Sequence, residues 1–133
     1  MNEQHAKVII ETLCCWFEVR QPKLSWSNRA KRGRYRPSKK LVVCGPKCWR
    51  GPLSSLLHEF AHYLTDARSG FRRINVTNFY SSKMPRRNDE HHGPAFHRAL
   101  TDTAEAWFGN AKLYEWDTEY RSLKCGPRPP IDF

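Results

Sequence analysis

Near the start of the chain, apolar residues recur at helical spacing: Ala6, Ile9, Ile10, Leu13, Trp16 and Phe17 share one face of a segment from about Gln4 to Val19. The pattern predicts an amphipathic helix that Pro22 ends. The period then shortens. Lys23 to Ser27 and Tyr35 to Cys44 read as strands, the second finishing in the β-branched-rich Leu41-Val42-Val43 before Gly45-Pro46. Gly51-Pro52 opens a strong helical pattern, with Leu53, Leu56, Leu57, Phe60, Ala61 and Leu64 along one face and Gly70 at its close. A strand is expected over Ile74 to Tyr80 and a polar, basic loop over Ser81 to Glu90. Gly93-Pro94 starts a further helix whose face is Phe96, Ala99, Leu100, Thr103, Ala104, Trp107 and Phe108, with Gly109 as its exit. Prolines predict an irregular segment over residues 110–133. The order of elements predicts an α+β fold, a small antiparallel or mixed sheet packed on helices.

At 133 residues and 15.7 kDa the chain has room for one core, so residues 1–133 are expected to form one domain. A 39% hydrophobic and 13% aromatic content excludes wholesale disorder. The longest apolar run, Leu13 to Phe17, is far shorter than the ~20 residues of a membrane span, and Glu3 and Glu11 stand where a signal peptide would be basic. The expectation is a cytoplasmic or nucleoid- or nuclear-associated monomer with no membrane partner. Five cysteines, Cys14, Cys15, Cys44, Cys48 and Cys125, are an odd number with two adjacent, which suits reduced thiols better than a disulfide framework.

Charge is uneven. The net +10 splits into +9 for residues 1–57 (twelve basic, three acidic) and +1 for the remainder (eleven and ten). Arg29, Lys31, Arg32, Arg34, Arg36, Lys39 and Lys40 place seven cations within twelve positions, with Trp26 and Tyr35 interleaved. Such a stretch can grip phosphates and stack bases of single-stranded or junction DNA.

The second helical segment carries His58-Glu59-Phe60-Ala61-His62, an H-E-x-x-H motif. Two His four apart on a helix project from one face about a turn apart, so their ring nitrogens can converge on one Zn²⁺. Glu59 lies to the side from which an attacking water would approach, as a general base requires. With six His and eight Glu in the chain, a chance match has a probability of roughly 1–2%, before helical context is asked for. A hydrolytic zinc needs a third ligand and an open fourth position. Thr65 and Arg68 stand where a metzincin has Gly and His, which excludes that arrangement. Asp66 and Glu90 are carboxylate candidates; His91, His92 and His97 are imidazole candidates. His92 is favoured, because Gly93-Pro94 fixes its position and a helix N-terminus favours neutral, ligating imidazole. His91 is the competitor, since rotation of the chain before a helix is not set by sequence, and His97 is expected to face solvent.

His58-Glu59-Phe60-Ala61-His62 followed by His92-Gly93-Pro94-Ala95-Phe96 resembles the SprT-like (Spartan-type) zinc metallopeptidases, whose pattern is HExxH and then His-Gly-x-x-Phe/Trp opening the next helix. The likeness covers roughly residues 4–109. It implies a zincin-like fold, one catalytic Zn²⁺ on His58, His62 and His92, Glu59 as general acid/base, and a protein substrate paired with an edge strand, for which Leu41 to Cys44 is the candidate. It also implies action on proteins at or crosslinked to DNA. Here 29 residues separate His62 from His92, longer than is usual for that family. Residues 66–91, with Arg68, Arg72, Arg73, Lys83, Arg86 and Arg87, are expected to form a flap that gates the cleft or extends a nucleic-acid surface. With Cys125 alone following the catalytic region, DNA contact is expected from the core domain.

Two rival readings stand beside this one: a zinc hydrolase of another amide, such as cell wall, and a non-catalytic basic DNA-binding protein with structural zinc. The CxxxC spacing of Cys44 and Cys48 predicts thiols in preference to a second zinc site. Cys14 and Cys15 are expected to pack in the core. Tyr63, Tyr80 or an Arg of 66–91 are candidates to stabilise an oxyanion, with no assignment among them.

Overall fold

A computed structural model describes residues 1–71 and 92–109. The expected strand at Ile74 to Tyr80, the loop after it, most of the expected flap, Glu90, His91 and the 110–133 segment with Cys125 lie outside the described residues.

The first helix, α1 (Glu3–Phe17), begins where Asn2 caps it: the Asn2 side chain accepts from the His5 N–H at 2.9 Å, and His5 Nδ1 faces the Asn2 N–H in return. It ends earlier than Pro22 requires. Glu18 adopts a left-handed conformation (φ 56°), and Val19 N–H closes on the Cys14 carbonyl. Ala6, Ile9, Ile10, Leu13 and Cys14 are buried, whereas Cys15 is exposed and Trp16 is 70% exposed. Adjacent helical residues are about 100° apart, so Cys15 cannot share the buried face of Cys14, and Trp16 falls at the edge of the stripe.

Three strands follow: β1 (Lys23–Trp26), β2 (Arg34–Arg36) and β3 (Leu41–Cys44), ordered β1-β3-β2. β1 runs parallel to β3 and β2 antiparallel to it. Two sequence expectations change here. Tyr35 to Cys44 is not one strand, because Pro37–Lys39 forms a 3₁₀ turn and Lys40, at φ 49°, reverses the chain into β3. Pro37 has no N–H to give a ladder, and the Lys40 N–H instead closes on the Pro37 carbonyl at 3.2 Å. In consequence Leu41 to Cys44 is the central strand, hydrogen-bonded on both sides, and cannot serve as the substrate-pairing edge. Among the described residues, β2 and β1 are the edges.

Helix α2 (Pro52–Arg68) starts with Pro52 in its first turn behind Gly51 (φ 94°) and exits through Ser69 and Gly70 (φ 67°). Helix α3 (Pro94–Phe108) repeats the device, with Gly93 as N-cap and Gly109 (φ 77°) as C-cap. The core joins α1, α2, α3 and the inner face of the sheet around Ile9, Leu13, Val42, Leu57, Phe60, Leu64, Phe96 and Leu100, each at most 1% exposed. The Arg68 guanidinium meets the Asp102 carboxylate at 2.7 Å, pinning the C-terminal end of α2 to α3. Arg68, one of the cations expected of the flap, is thus tied to the helix pair by an ion pair at the surface. The architecture is α+β, as expected, and among the described residues no helix is long and apolar enough to cross a membrane.

Gly45, just after β3, packs backbone to backbone against the β1 exit. A Cβ there would stand 1.9 Å from the Ser27 carbonyl oxygen, and Ser27 N–H is itself bonded to the Cys44 carbonyl at 2.9 Å. Neither strand can yield without breaking the sheet. Gly45→Ala is therefore expected to destabilise the protein by about 3 kcal/mol or more, read as a lower midpoint in urea unfolding; a midpoint equal to that of the parent would refute this packing.

Candidate metal centre

His58 and His62 are one turn apart on α2, and His92 directly precedes Gly93 at the start of α3. Packing of α2 on α3 brings the three rings together. Each offers a ring nitrogen, all within 4.8 Å of one another, and the Nε2 atoms of His62 and His92 are 3.2 Å apart. Phe96, one turn into α3 from His92, organises them: its ring centroid is 4.1 Å from that of His62, 4.9 Å from His92 and 5.1 Å from His58. The phenyl ring is 1% exposed, so its burial and its contacts with three imidazoles fix their rotations together. On the other side Tyr35 of β2 stacks parallel to His62 at 6.5 Å.

The arrangement suits a small cation. Two nitrogens bound tetrahedrally at about 2.0–2.1 Å would be about 3.3–3.4 Å apart, close to the His62–His92 separation. A set of three imidazoles favours zinc, copper, iron or nickel over the oxygen-seeking calcium and magnesium. Three protein nitrogens also leave coordination positions open to other groups, unlike a closed structural site.

A cavity of about 200 Å³ adjoins the three rings. Glu59, 9% exposed, lines it together with all three histidines. The carboxylate is held down by a close approach from the sheet side: a Cβ on Gly33 would lie 2.9 Å from Glu59 Cγ and 3.0 Å from Oε2. Any larger residue at Gly33 would displace the carboxylate. Arg32, Trp49, Arg50, Ser54 and Ser55 complete the lining.

The other sequence candidates fall elsewhere. Asp66 is fully buried but is not in the cluster, and His97 is half-buried on α3 outside it. His91, Glu90 and Tyr80 lie outside the described residues. Tyr63 is turned away from the cavity; its hydroxyl donates to the Arg20 carbonyl, and burial raises its pKa. Cys44 and Cys48 are free thiols with sulfurs 3.7 Å apart, and burial holds the Cys44 thiol well above the usual range, so it stays protonated.

All seven predicted nucleic-acid cations are exposed. Arg29, Lys31, Arg32, Arg34 and Arg36 line one groove of about 430 Å³ floored by Val43. Lys39 and Lys40 are on the turn beyond it, where Lys40 Nζ lies 4.0 Å over the Phe71 ring. The interleaved aromatics are not in that groove: Trp26 and Tyr35 pack against the core. Besides Trp16 on α1, the exposed aromatic among the described residues is Trp49, 66% accessible at the rim of the metal-side cavity. Sequence reading passed over Trp49, Arg50, Gly33 and Ser55. Ser55 alone had a legible signal, since it precedes His58 by three and Glu59 by four on a helix whose face was already assigned.

Comparison with family models, curated proteins and solved structures gives no match for this chain. The purified protein is expected to retain one equivalent of a divalent imidazole-preferring metal. His92→Ala should weaken metal affinity by at least about 100-fold, the upper end of what loss of an outer partner does, as measured by competition with a chromophoric chelator. Unchanged affinity would remove His92 from the site.

Proposed function

We propose that this chain is a zinc-dependent metallopeptidase of the SprT-like type with a zincin-like fold, acting on proteins held at or near DNA. The observation that carries the reading is the convergence of His58, His62 and His92 beside a carboxylate, Glu59, in one small cavity. His58, His62 and His92 would hold a zinc ion, which when bound would supply Lewis acidity to a scissile carbonyl and an attacking water. Glu59 accepts the water's proton and returns it to the leaving amine, held in reach by Gly33 above it. Burial of Glu59 and His62 limits competing bulk water at the reacting centre. The open edge of β2, whose Tyr35 stacks on His62, is the place for an extended substrate to add as a strand.

DNA association rests on the outer face of the sheet. Side-chain alternation in β2 sends Arg34 and Arg36 outward and Tyr35 inward, so the cations form a groove without burying charge. Arg32 borders both this groove and the metal-side cavity, which supports DNA association close to the proposed chemistry.

Two measurements test these statements. Glu59→Gln should keep stoichiometric zinc and the parent's circular dichroism while lowering peptide cleavage by about 10²–10⁴-fold. A non-catalytic structural site would show no cleavage in either protein. For the groove, affinity for single-stranded DNA should fall with salt, with a slope of about −0.7 per phosphate engaged, and Arg34→Gln with Arg36→Gln should flatten that slope by about 1–2. Affinity independent of salt between 50 and 200 mM, a range in which several phosphate contacts change affinity by orders of magnitude, would dissociate the groove from nucleic acid.

A further inference from the structure

We infer that the metal-side cavity ends in a subsite selective for a carboxylate of the substrate, formed by Arg32, Arg50 and Ser55; the inference rests on the metallopeptidase reading and names its substrate class. On α2, Ser55, His58, Glu59 and His62 share one face, so the cavity floor runs from the imidazoles one turn, about 5.4 Å, toward the helix N-terminus. At that end the chemistry is complementary to an anion. Ser55 is 7% exposed and lines the cavity. Gly51 provides no side-chain cap and Pro52 no N–H, so the positive end of α2 is not neutralised by a capping residue.

The walls add two guanidiniums. Arg32 comes from the connection between β1 and β2, and Arg50 from that between β3 and α2, its Cζ 4.6 Å over the Trp49 ring. The Trp49 N–H donates to the Lys31 carbonyl at 3.0 Å, tying the two walls together and setting the gap between them. Glu59 is the cavity's one acidic group among the described residues, against two guanidiniums. At about 200 Å³ the space is below the ~300–1,000 Å³ of drug-sized pockets and suits one side chain. A carboxylate flanking the scissile bond would accept from the Ser55 hydroxyl and a guanidinium together, whereas the isosteric amide forms weaker bonds there.

The experiment compares cleavage by the zinc-loaded full chain of peptides identical except for Glu, Asp, Gln, Asn or Lys next to the bond, each with a free or amidated C-terminus. Acidic peptides should have kcat/KM at least tenfold above their amides, and the ratio should fall to about two or less in Arg50→Gln and in Ser55→Ala. A preference kept in amidated peptides assigns the carboxylate to a side chain; one confined to free termini assigns it to the C-terminus. Cleavage without preference, or a preference untouched by Arg32→Gln, Arg50→Gln and Ser55→Ala alike, overturns the subsite and leaves the peptidase reading intact. If no peptide is cleaved, fluorescence anisotropy of the labelled Glu and Gln peptides on metal-free protein decides separately: tenfold tighter Glu binding, lost in Arg50→Gln, supports the subsite, and equal binding overturns it. Displacement of the Glu peptide by oligothymidylate whose own affinity drops in Ser55→Ala would reassign the cavity to phosphate, also overturning the proposal.

Discussion

Contact of one phenyl ring with three imidazoles is the constraint on which the centre depends. Phe96 is buried between α2 and α3, and its ring lies within 5.1 Å of the centroids of His58, His62 and His92. Burying such a side chain contributes about 1.5–3 kcal/mol, enough to hold rings whose polar edges would otherwise seek water. It also couples the helices: sliding α3 by one residue would rotate its face by about 100° and remove Phe96 from the rings. The short His62–His92 nitrogen separation is therefore a product of apolar packing, with the Arg68–Asp102 ion pair as a second tether at the far end of the helix pair.

The three-stranded sheet separates two chemistries that would conflict if mixed. Its inner face carries Tyr35 and Val42, paired in register, toward α2 and the core; its outer face carries Arg34 and Arg36 with Val43. Five guanidinium and ammonium groups near a site for a cation would oppose metal binding if they shared its cavity. The strand period of two puts Arg34 and Arg36 on the other side, and of the five only Arg32 also lines the metal-side cavity. Because β2 is both the wall beside His62 and the support of the basic groove, any ligand along that groove bears on the edge next to the metal centre.

Close backbone approach supplies the remaining precision. Gly33 over Glu59 fixes the height of the carboxylate, and Gly45 against Ser27 fixes the path of the chain from β3 into the connection that carries Trp49 and Arg50. These two glycines do different work from Gly51, Gly70 and Gly109, whose positive φ values belong to helix ends. Together the two connections form the sides of a cavity floored largely by one face of α2.

Sequence by itself determined the helices and the two histidines on α2, because the 3.6-residue period and the four-residue H-E-x-x-H spacing are local properties of one element. It also pointed to His92, since the His-Gly-Pro junction and Phe96 are local to α3. Tertiary structure decided what depends on elements meeting. Reversal at Pro37–Lys40 made Leu41–Cys44 a central strand, turned Tyr35 toward His62, and left Trp49 exposed at the cavity rim, none of which a period along the chain can express. Whether three distant imidazoles face one point is set by the packing of α2 on α3 through Phe96, and that is a distance in space for which the 29-residue separation in sequence carries no information.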